Sequence, residues 1–291
     1  MVLKHIFQRT LTNNIYNSWL QFKAWYRYIV PGQSSIKVMP PSEYNLVFED
    51  RFNGDRIDSS EWRFGQPWGN FHTEQLWWYW PETDSCAKTS EDGLKLSLCL
   101  NPRVFVKNQL PEWKRSKKLP EVWTGSWCAG LISTKKAYQF GWFEAEIMIP
   151  TDFMQWSAFW LAGQDSWPPE IDIFEAYTTD DLNDIKIKPN IHWGNAGTWR
   201  NGKKDYGAPR IYVKNPHERF VHYACHWTED FIRIYYDGHL VQECTNEEML
   251  IQNSKPQYII LNHGLKKPKE TNPIGSDMIV RNLKVYQNAS K

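Results

Sequence analysis

Ile232-Arg233-Ile234-Tyr235-Tyr236-Asp237-Gly238-His239-Leu240-Val241 is the stretch whose reading decides the class of fold. Alternating and β-branched residues run up to Tyr236 and resume at His239, with only Asp237-Gly238 between them. A two-residue Asp-Gly link suits a turn that needs positive φ at both positions, so the stretch predicts an antiparallel hairpin. Short alternating or aromatic-rich runs of the same kind recur at Tyr44–Phe48, Leu94–Leu98, Trp142–Ile149, Ser157–Leu161, Phe220–Trp227, Tyr258–Leu261 and Ile279–Tyr286. Clusters of Gly, Asn, Asp and Pro, such as Asn53-Gly54-Asp55, separate them. Many short strands with no helical pattern between them predict an all-β sandwich or barrel. From residue 43 to 291 the chain reads as one domain without an internal repeat.

At 291 residues the chain can bury a substantial core without metals or disulfides. Its net charge of +1 provides no global field for nucleic acid. A mean hydropathy of −0.62, with no apolar run of about 18 residues, excludes a membrane-spanning helix. The 17 Trp are an excess that calls for a reason. Most are expected in the core, and some can offer a flat ring on which a sugar's C–H face lies. The five cysteines Cys86, Cys99, Cys128, Cys225 and Cys244 have no zinc spacing, and an odd count leaves at least one thiol unpaired within the chain. Buried free thiols are the favoured reading, with one or two disulfides still open. His222 and His226, four apart in a strand-like stretch, read as structural rather than as metal ligands.

Residues 1–42 contain no Asp or Glu. Within them Phe7, Leu11, Ile15, Trp19, Phe22 and Tyr26 recur every three or four residues, which predicts an amphipathic helix. Pro31-Gly32 ends the pattern. A basic, acid-free helix suits a membrane surface or an organellar presequence. Docking on the domain or on a partner protein is the reading placed first. There is no continuous apolar segment of the kind found in a secretory signal, so extracellular action is plausible without a recognisable leader.

The chemistry concentrates in Trp167-Pro168-Pro169-Glu170-Ile171-Asp172-Ile173-Phe174-Glu175. Three carboxylates on a core-facing strand would be costly, so their face is expected to open onto a solvated cleft. Glu170 and Asp172 share a face by alternation, while Glu175, five residues from Glu170, would point the wrong way. One β-bulge between Asp172 and Glu175 restores all three acids to one side. The glutamates are then effectively four apart, about 13 Å between Cα atoms, and side chains leaning together bring the carboxyls to about 5–5.5 Å. That separation is the one at which a retaining glycosidase works, one carboxylate attacking the anomeric carbon and one carboxylic acid protonating the leaving oxygen. A solvated acidic edge strand is the competing reading of this segment alone.

With these residues in view, the chain resembles glycoside hydrolase family 16, the laminarinase, agarase, porphyranase and carrageenase group. The likeness runs from about residue 44 to 287. It is carried by Leu46-Val47-Phe48-Glu49-Asp50-Arg51-Phe52-Asn53-Gly54, by Gly130–Lys135 and Tyr138–Ala145, and by Gln155–Leu161 ahead of the acid motif. His192-Trp193-Gly194, Trp227-Thr228, Leu261-Asn262 and Val285-Tyr286-Gln287 follow in family order. The resemblance implies a jelly-roll β-sandwich of two stacked antiparallel sheets with a substrate groove across the concave one. It implies Glu170 as nucleophile, Glu175 as acid/base and Asp172 as their assistant, in the bulged E-x-D-x-x-E branch. Trp156, Trp160 and Trp167 are candidates for sugar stacking, His192 for the groove histidine and Asn262 for a polar groove contact. Trp160 shares a face with Ala158, and core is its alternative.

Three departures accompany the likeness. Arg281 stands where many members carry an Asp that helps bind a structural calcium, so no metal or other cofactor is expected here. Trp142 and Glu146 occupy positions that are basic in many members. Phe71–Trp80 matches no part of the family pattern, and either walls one end of the groove or packs. The expected activity is endo-hydrolysis of a β-linked polysaccharide, a β-1,3- or mixed-linked glucan ahead of an agar-, porphyran- or carrageenan-type galactan. Transglycosylation at the same site and a catalytically silent glycan-binding module are the alternatives. Basic islands at Lys114–Lys118, Lys203-Lys204 and Lys266-Lys267 read as solvated loops before they read as contacts to an anionic glycan.

Overall fold

The structure, a computed structural model, describes residues 15–26, 38–68, 72–75, 78–110, 112, 115, 117, 119–150, 155–177, 186–194, 203–205, 211–265 and 277–288, and of 72–75, 186 and 203–205 the backbone alone. Its strands form the two packed sheets of a jelly-roll sandwich. From edge to edge, one sheet runs His239–Cys244, Ile232–Tyr236, Val221–Trp227, Gly141–Met148, Met278–Asn288, Gly93–Leu96 and Ala87–Ser90, and Tyr44–Asp50 also pairs with Met278–Asn288. The other runs Lys203–Asp205, Lys186–Gly194, Glu170–Tyr177, Gln155–Gly163, Gln257–Leu265, Val122–Tyr138, Trp78–Trp80 and His72–Gln75. Trp62–Phe64 and Leu98–Val106 pair with its long strand Val122–Tyr138. Neighbours are antiparallel except Trp78–Trp80, which lies parallel to Val122–Tyr138.

The Asp237-Gly238 hairpin forms as predicted, with positive φ at both turn residues (46° and 76°). Between the sheets, Ile171, Ile173, Phe174 and Ala176 of one pack with Phe143, Tyr223, Trp227, Ile234 and Tyr236 of the other in a single buried cluster. Phe174 stacks on Tyr223 with ring centroids 4.4 Å apart. A second cluster lies on part of the outer face of the acid-bearing sheet, where Trp78, Trp80, Trp127, Ala158 and Trp160 pack together. Of the segment that matches no part of the family pattern, Trp78, Tyr79 and Trp80 are buried and pack. Gly264 makes room for them, since a Cβ there would lie 2.9 Å from the Trp80 ring. Trp62, Trp142 and Trp227 are also fully buried, in line with the expectation that most tryptophans are core. The five cysteines are free thiols, and the Cys86 and Cys128 sulfurs lie 2.6 Å apart.

Residues 15–26 form a helix against the edge strand His239–Cys244, where the Asn17 side-chain Oδ1 accepts from the Glu243 backbone N–H (3.1 Å). Its docked side is Asn17, Leu20 and Ala24. The stripe picked out by periodicity, Ile15, Trp19, Phe22 and Tyr26, instead faces outward. The helix docks as expected, but on its other side; Phe7 and Leu11 lie outside the described residues. No described helix is long and apolar enough to cross a membrane.

Candidate active site

The strand Glu170–Tyr177 carries the three acids, and its ladder contains one extra residue. Against Lys186–Gly194 the partners are Glu170↔His192, Asp172↔Asn190 and Glu175↔Lys188, so three steps on the acid strand meet two on its neighbour. Against Gln155–Gly163 the shift falls at the same place, Phe159↔Phe174 being followed by Trp160↔Asp172. The reason is packing. Ile173 and Phe174 are consecutive, yet both are fully buried in the inter-sheet core. Each contributes about 1.5–3 kcal/mol on burial. A regular strand would have to turn one of them outward and send a carboxylate into the core, which costs more than the bulge does.

The bulge leaves a buried carbonyl to satisfy, and the opposite sheet supplies the donor. The Tyr236 hydroxyl donates to the Ile173 carbonyl oxygen at 3.0 Å across the core. Sequence reading did not find this contact, because nothing in the hairpin pattern distinguishes Tyr236 from any other core-facing aromatic. Tyr236→Phe strands the carbonyl and is expected to lower stability by about 1–3 kcal/mol. With the bulge less firmly held, kcat should fall roughly tenfold to a hundredfold while KM stays near its starting value. Unchanged kcat in a variant that melts early would make the hydroxyl purely structural.

Around the acids the contacts are short. Trp167 Nε1 donates to Glu170 Oε2 (2.7 Å), and His192 Nε2 lies 3.1 Å from Glu170 Oε1 and 3.2 Å from Asp172 Oδ2. Asn190 Nδ2 is 3.0 Å from the same His192 nitrogen. At the other end, the Tyr177 hydroxyl donates to Glu175 Oε1 (2.6 Å) and Lys188 Nζ stands 3.9 Å from Glu175 Oε2. Burial is the main reason the Glu170 carboxyl is pushed up to about 8, with the Asp172 charge adding to it and His192 and Trp167 opposing it. Burial and the neighbouring Glu175 likewise keep the Tyr177 phenol protonated far above its ordinary range. Glu170, Asp172 and His192 hold ligand atoms within 4.8 Å of one another. An ion there would occupy the oxygens on which a glycosidase reaction depends.

The five expected sugar contacts differ in exposure and partners. Trp160 is 7% exposed, and its Nε1 donates to Asn262 Oδ1 (2.8 Å), while Asn262 is itself fully buried. Trp160 belongs to the buried cluster with Ala158, Trp78 and Trp80, has the Trp68 ring edge-on at 6.1 Å, and stands opposite Asp172 in the ladder. Trp156 and Trp167 remain partly exposed; Trp156 stacks parallel to Tyr177 (6.3 Å, 5°), and Trp167 lies 6.1 Å from His192. The family departures prove to be coupled. Arg281 pairs opposite Glu146 in the ladder, its Nε 2.6 Å from Glu146 Oε2, and its guanidinium covers Phe220. Trp142 Nε1 in turn donates to Glu144. Lys114, Lys118, Lys266 and Lys267 lie outside the described residues, and of Lys203-Lys204 only the backbone is described.

The family model for "Glycosyl hydrolases family 16" matches residues 66–273, well over half of the chain. The chain belongs to glycosyl hydrolases family 16. It is 24% identical over 242 residues to glucan endo-1,3-beta-glucosidase A1 of Niallia circulans, covering 75% of this chain and 33% of that protein. The chain spans about a third of the length of the curated relatives it matches. Among solved structures, a non-specific endo-beta-1,3(4)-glucanase of the family superposes with a TM-score of 0.65 at 22% identity, over 86% of this chain and 94% of that one. One of the endo-acting O-glycanases with which prominent members of the human gut microbiota initiate mucin breakdown gives 0.69 at 20% identity, over 86% and 92%. At these identities the family 16 structures show a shared fold.

Proposed function

We propose that this family 16 chain is a retaining endo-glycoside hydrolase acting on a β-1,3- or mixed-linked glucan. The observation that carries the reading is the bulged strand, which sets Glu170, Asp172 and Glu175 along one outward face beside His192. In the first half-reaction a Glu170 oxygen attacks the anomeric carbon, the glycosidic C–O bond breaks, and Glu175 gives its proton to the departing oxygen. In the second, Glu175 takes a proton from water as that water attacks the glycosyl ester and releases Glu170. A sugar hydroxyl in place of the water gives transglycosylation. Trp167 orients the nucleophile through its indole N–H, and Trp156 and Trp167 offer rings for sugar stacking. The glucan preference follows the activities of the relatives, a glucan endo-1,3-beta-glucosidase and an endo-beta-1,3(4)-glucanase.

Double displacement requires one carboxylate and one carboxylic acid, and a crowded trio of acids retains a proton near neutrality. Burial favours that proton on Glu170, whereas turnover by this scheme needs it on Glu175. This single observation, with the donors Tyr177 and Lys188 at Glu175, favours a second reading in which the two glutamates exchange roles.

Laminarin, lichenan, agarose, porphyran and carrageenan, each assayed for new reducing ends, test the substrate class. Cleavage of laminarin or lichenan by the wild type, lost in Glu170→Gln, is the expected pattern. Binding without cleavage across the panel would make the chain a glycan-binding module, and cleavage confined to the galactans would overturn the glucan assignment.

A further inference from the structure

The helix over residues 15–26 has two apolar faces, and the domain uses only the smaller. Asn17, Leu20 and Ala24 suffice to seat it on the edge strand His239–Cys244. Covering that edge needs no more. The opposite side carries Ile15, Trp19, Phe22 and Tyr26, which are 64%, 50%, 57% and 47% exposed, with Tyr16 and Trp25 at 40% each beside them. Tyr16 lies against Trp19 and Phe22 against Tyr26, so the rings form a contiguous surface rather than scattered contacts. A patch of this kind on a surface helix marks an interaction site.

We propose that this face seats the protein on an anionic lipid surface. Charge is the first argument. Residues 1–42 hold five basic side chains, Lys4, Arg9, Lys23, Arg27 and Lys37, and no acid. The rest of the chain holds the other 29 of 34 basic residues against all 33 acids. A basic segment on an acidic body is drawn to a negative surface through that segment alone, which also orients the body away from it. Side-chain chemistry is the second. Trp, Tyr and Phe beside Lys make up the composition of helices that lie in the headgroup layer, with rings at the acyl boundary and ammonium groups at the phosphates. Lys23 already lies over the Trp19 ring, with Nζ 4.2 Å from the centroid. Topology is the third. The helix sits on the edge of the sheet that lacks the acids, so a membrane contact there leaves the outer face of the acid-bearing sheet open to a polysaccharide.

Vesicle flotation with the full chain tests this, using phosphatidylcholine alone and phosphatidylcholine with about 30% phosphatidylglycerol. The expected result is flotation with the anionic vesicles, weakened by roughly 0.5 M salt, and little with the neutral ones. Trp19→Ala combined with Phe22→Ala should lower the bound fraction about tenfold or more. The same variant should keep the wild-type reducing-end activity and stay close to the wild-type melting temperature, since the buried docking residues Asn17, Leu20 and Ala24 are untouched. Failure to float with either vesicle overturns the proposal, as does flotation that the double variant leaves unchanged. If sedimentation instead shows a dimer that the double variant dissociates, the face is an interface between copies and the lipid assignment is wrong. Activity on the polysaccharide panel is read separately, so neither result depends on the other.

Discussion

Glu170→Gln and Glu175→Gln each lower turnover of the cleaved glucan by about four orders of magnitude or more, and azide tells the two losses apart. An amide at either position keeps the hydrogen-bonding shape but can neither form the ester nor deliver the proton. With an activated aryl β-glycoside, the leaving group departs without acid help. For azide rescue each glutamate is shortened to alanine instead, which vacates space for the anion; in the variant that lacks the nucleophile, azide attacks the anomeric carbon and yields the α-glycosyl azide. In the variant that lacks the acid/base, the glycosyl ester still forms, and azide displaces it from the opposite face to give the β-glycosyl azide. The proposed roles predict the α product from Glu170→Ala and the β product from Glu175→Ala. The reverse pairing would establish the exchanged roles favoured by the protonated Glu170 carboxyl. Near-wild-type turnover in either variant would remove that residue from the chemistry altogether.

Glu170→Gln should also stabilise the fold at alkaline pH, by an amount on the order of a few kcal/mol. Below the carboxyl's ordinary value of 4.5, Glu170 is protonated in folded and unfolded chains alike. Between there and about 8 the folded protein keeps a proton that the unfolded chain has released, so stability falls as pH rises through that window. Above it the penalty is complete: a buried carboxylate beside Asp172, with a side chain only 13% exposed. Gln carries no such penalty at any pH. Melting curves at pH 5 and pH 9 should therefore show the variant's advantage small at the first and large at the second. An advantage that does not change with pH would mean that Glu170 ionises in the folded protein as it does in the unfolded chain. The acid strand in this account gives up stability to hold its charges close, as functional sites commonly do.

What was readable in advance follows from which faces of a strand are wet. Ile232–Tyr236 and Val221–Trp227 alternate between core and half-exposed positions, and their limits are legible to within a residue. Val122–Tyr138 is visible in part through the family resemblance at Gly130–Lys135 but not through alternation, because residues from Trp127 to Thr134 are all buried. With no wet face there is no alternation to read. The bulge was legible for a different reason: a spacing of five between two carboxylates makes sense only with an extra residue, and packing of Ile173 with Phe174 supplies it. Tyr236 beneath the bulge and the Arg281–Glu146 pair were not legible, since both depend on which strands become neighbours. The burial of Trp160 and Asn262 is of the same kind, for it is set by rings some eighty residues or more earlier in the chain. For the N-terminal helix, periodicity located an apolar stripe correctly, but the domain docks the other side. Leu20 and Ala24 dock, while the larger stripe stays exposed.

The central claim is that Glu170 and Glu175 act on opposite sides of one anomeric carbon at the short separation of a retaining pair, and product stereochemistry tests it most directly. Proton NMR of the first sugar released from laminarin or lichenan, recorded before mutarotation, should show the β-anomer growing first and the α-anomer following as it equilibrates. An α-anomer that appears first would mean a single displacement by water between carboxyls standing farther apart, and would contradict the geometry assigned to the bulged strand.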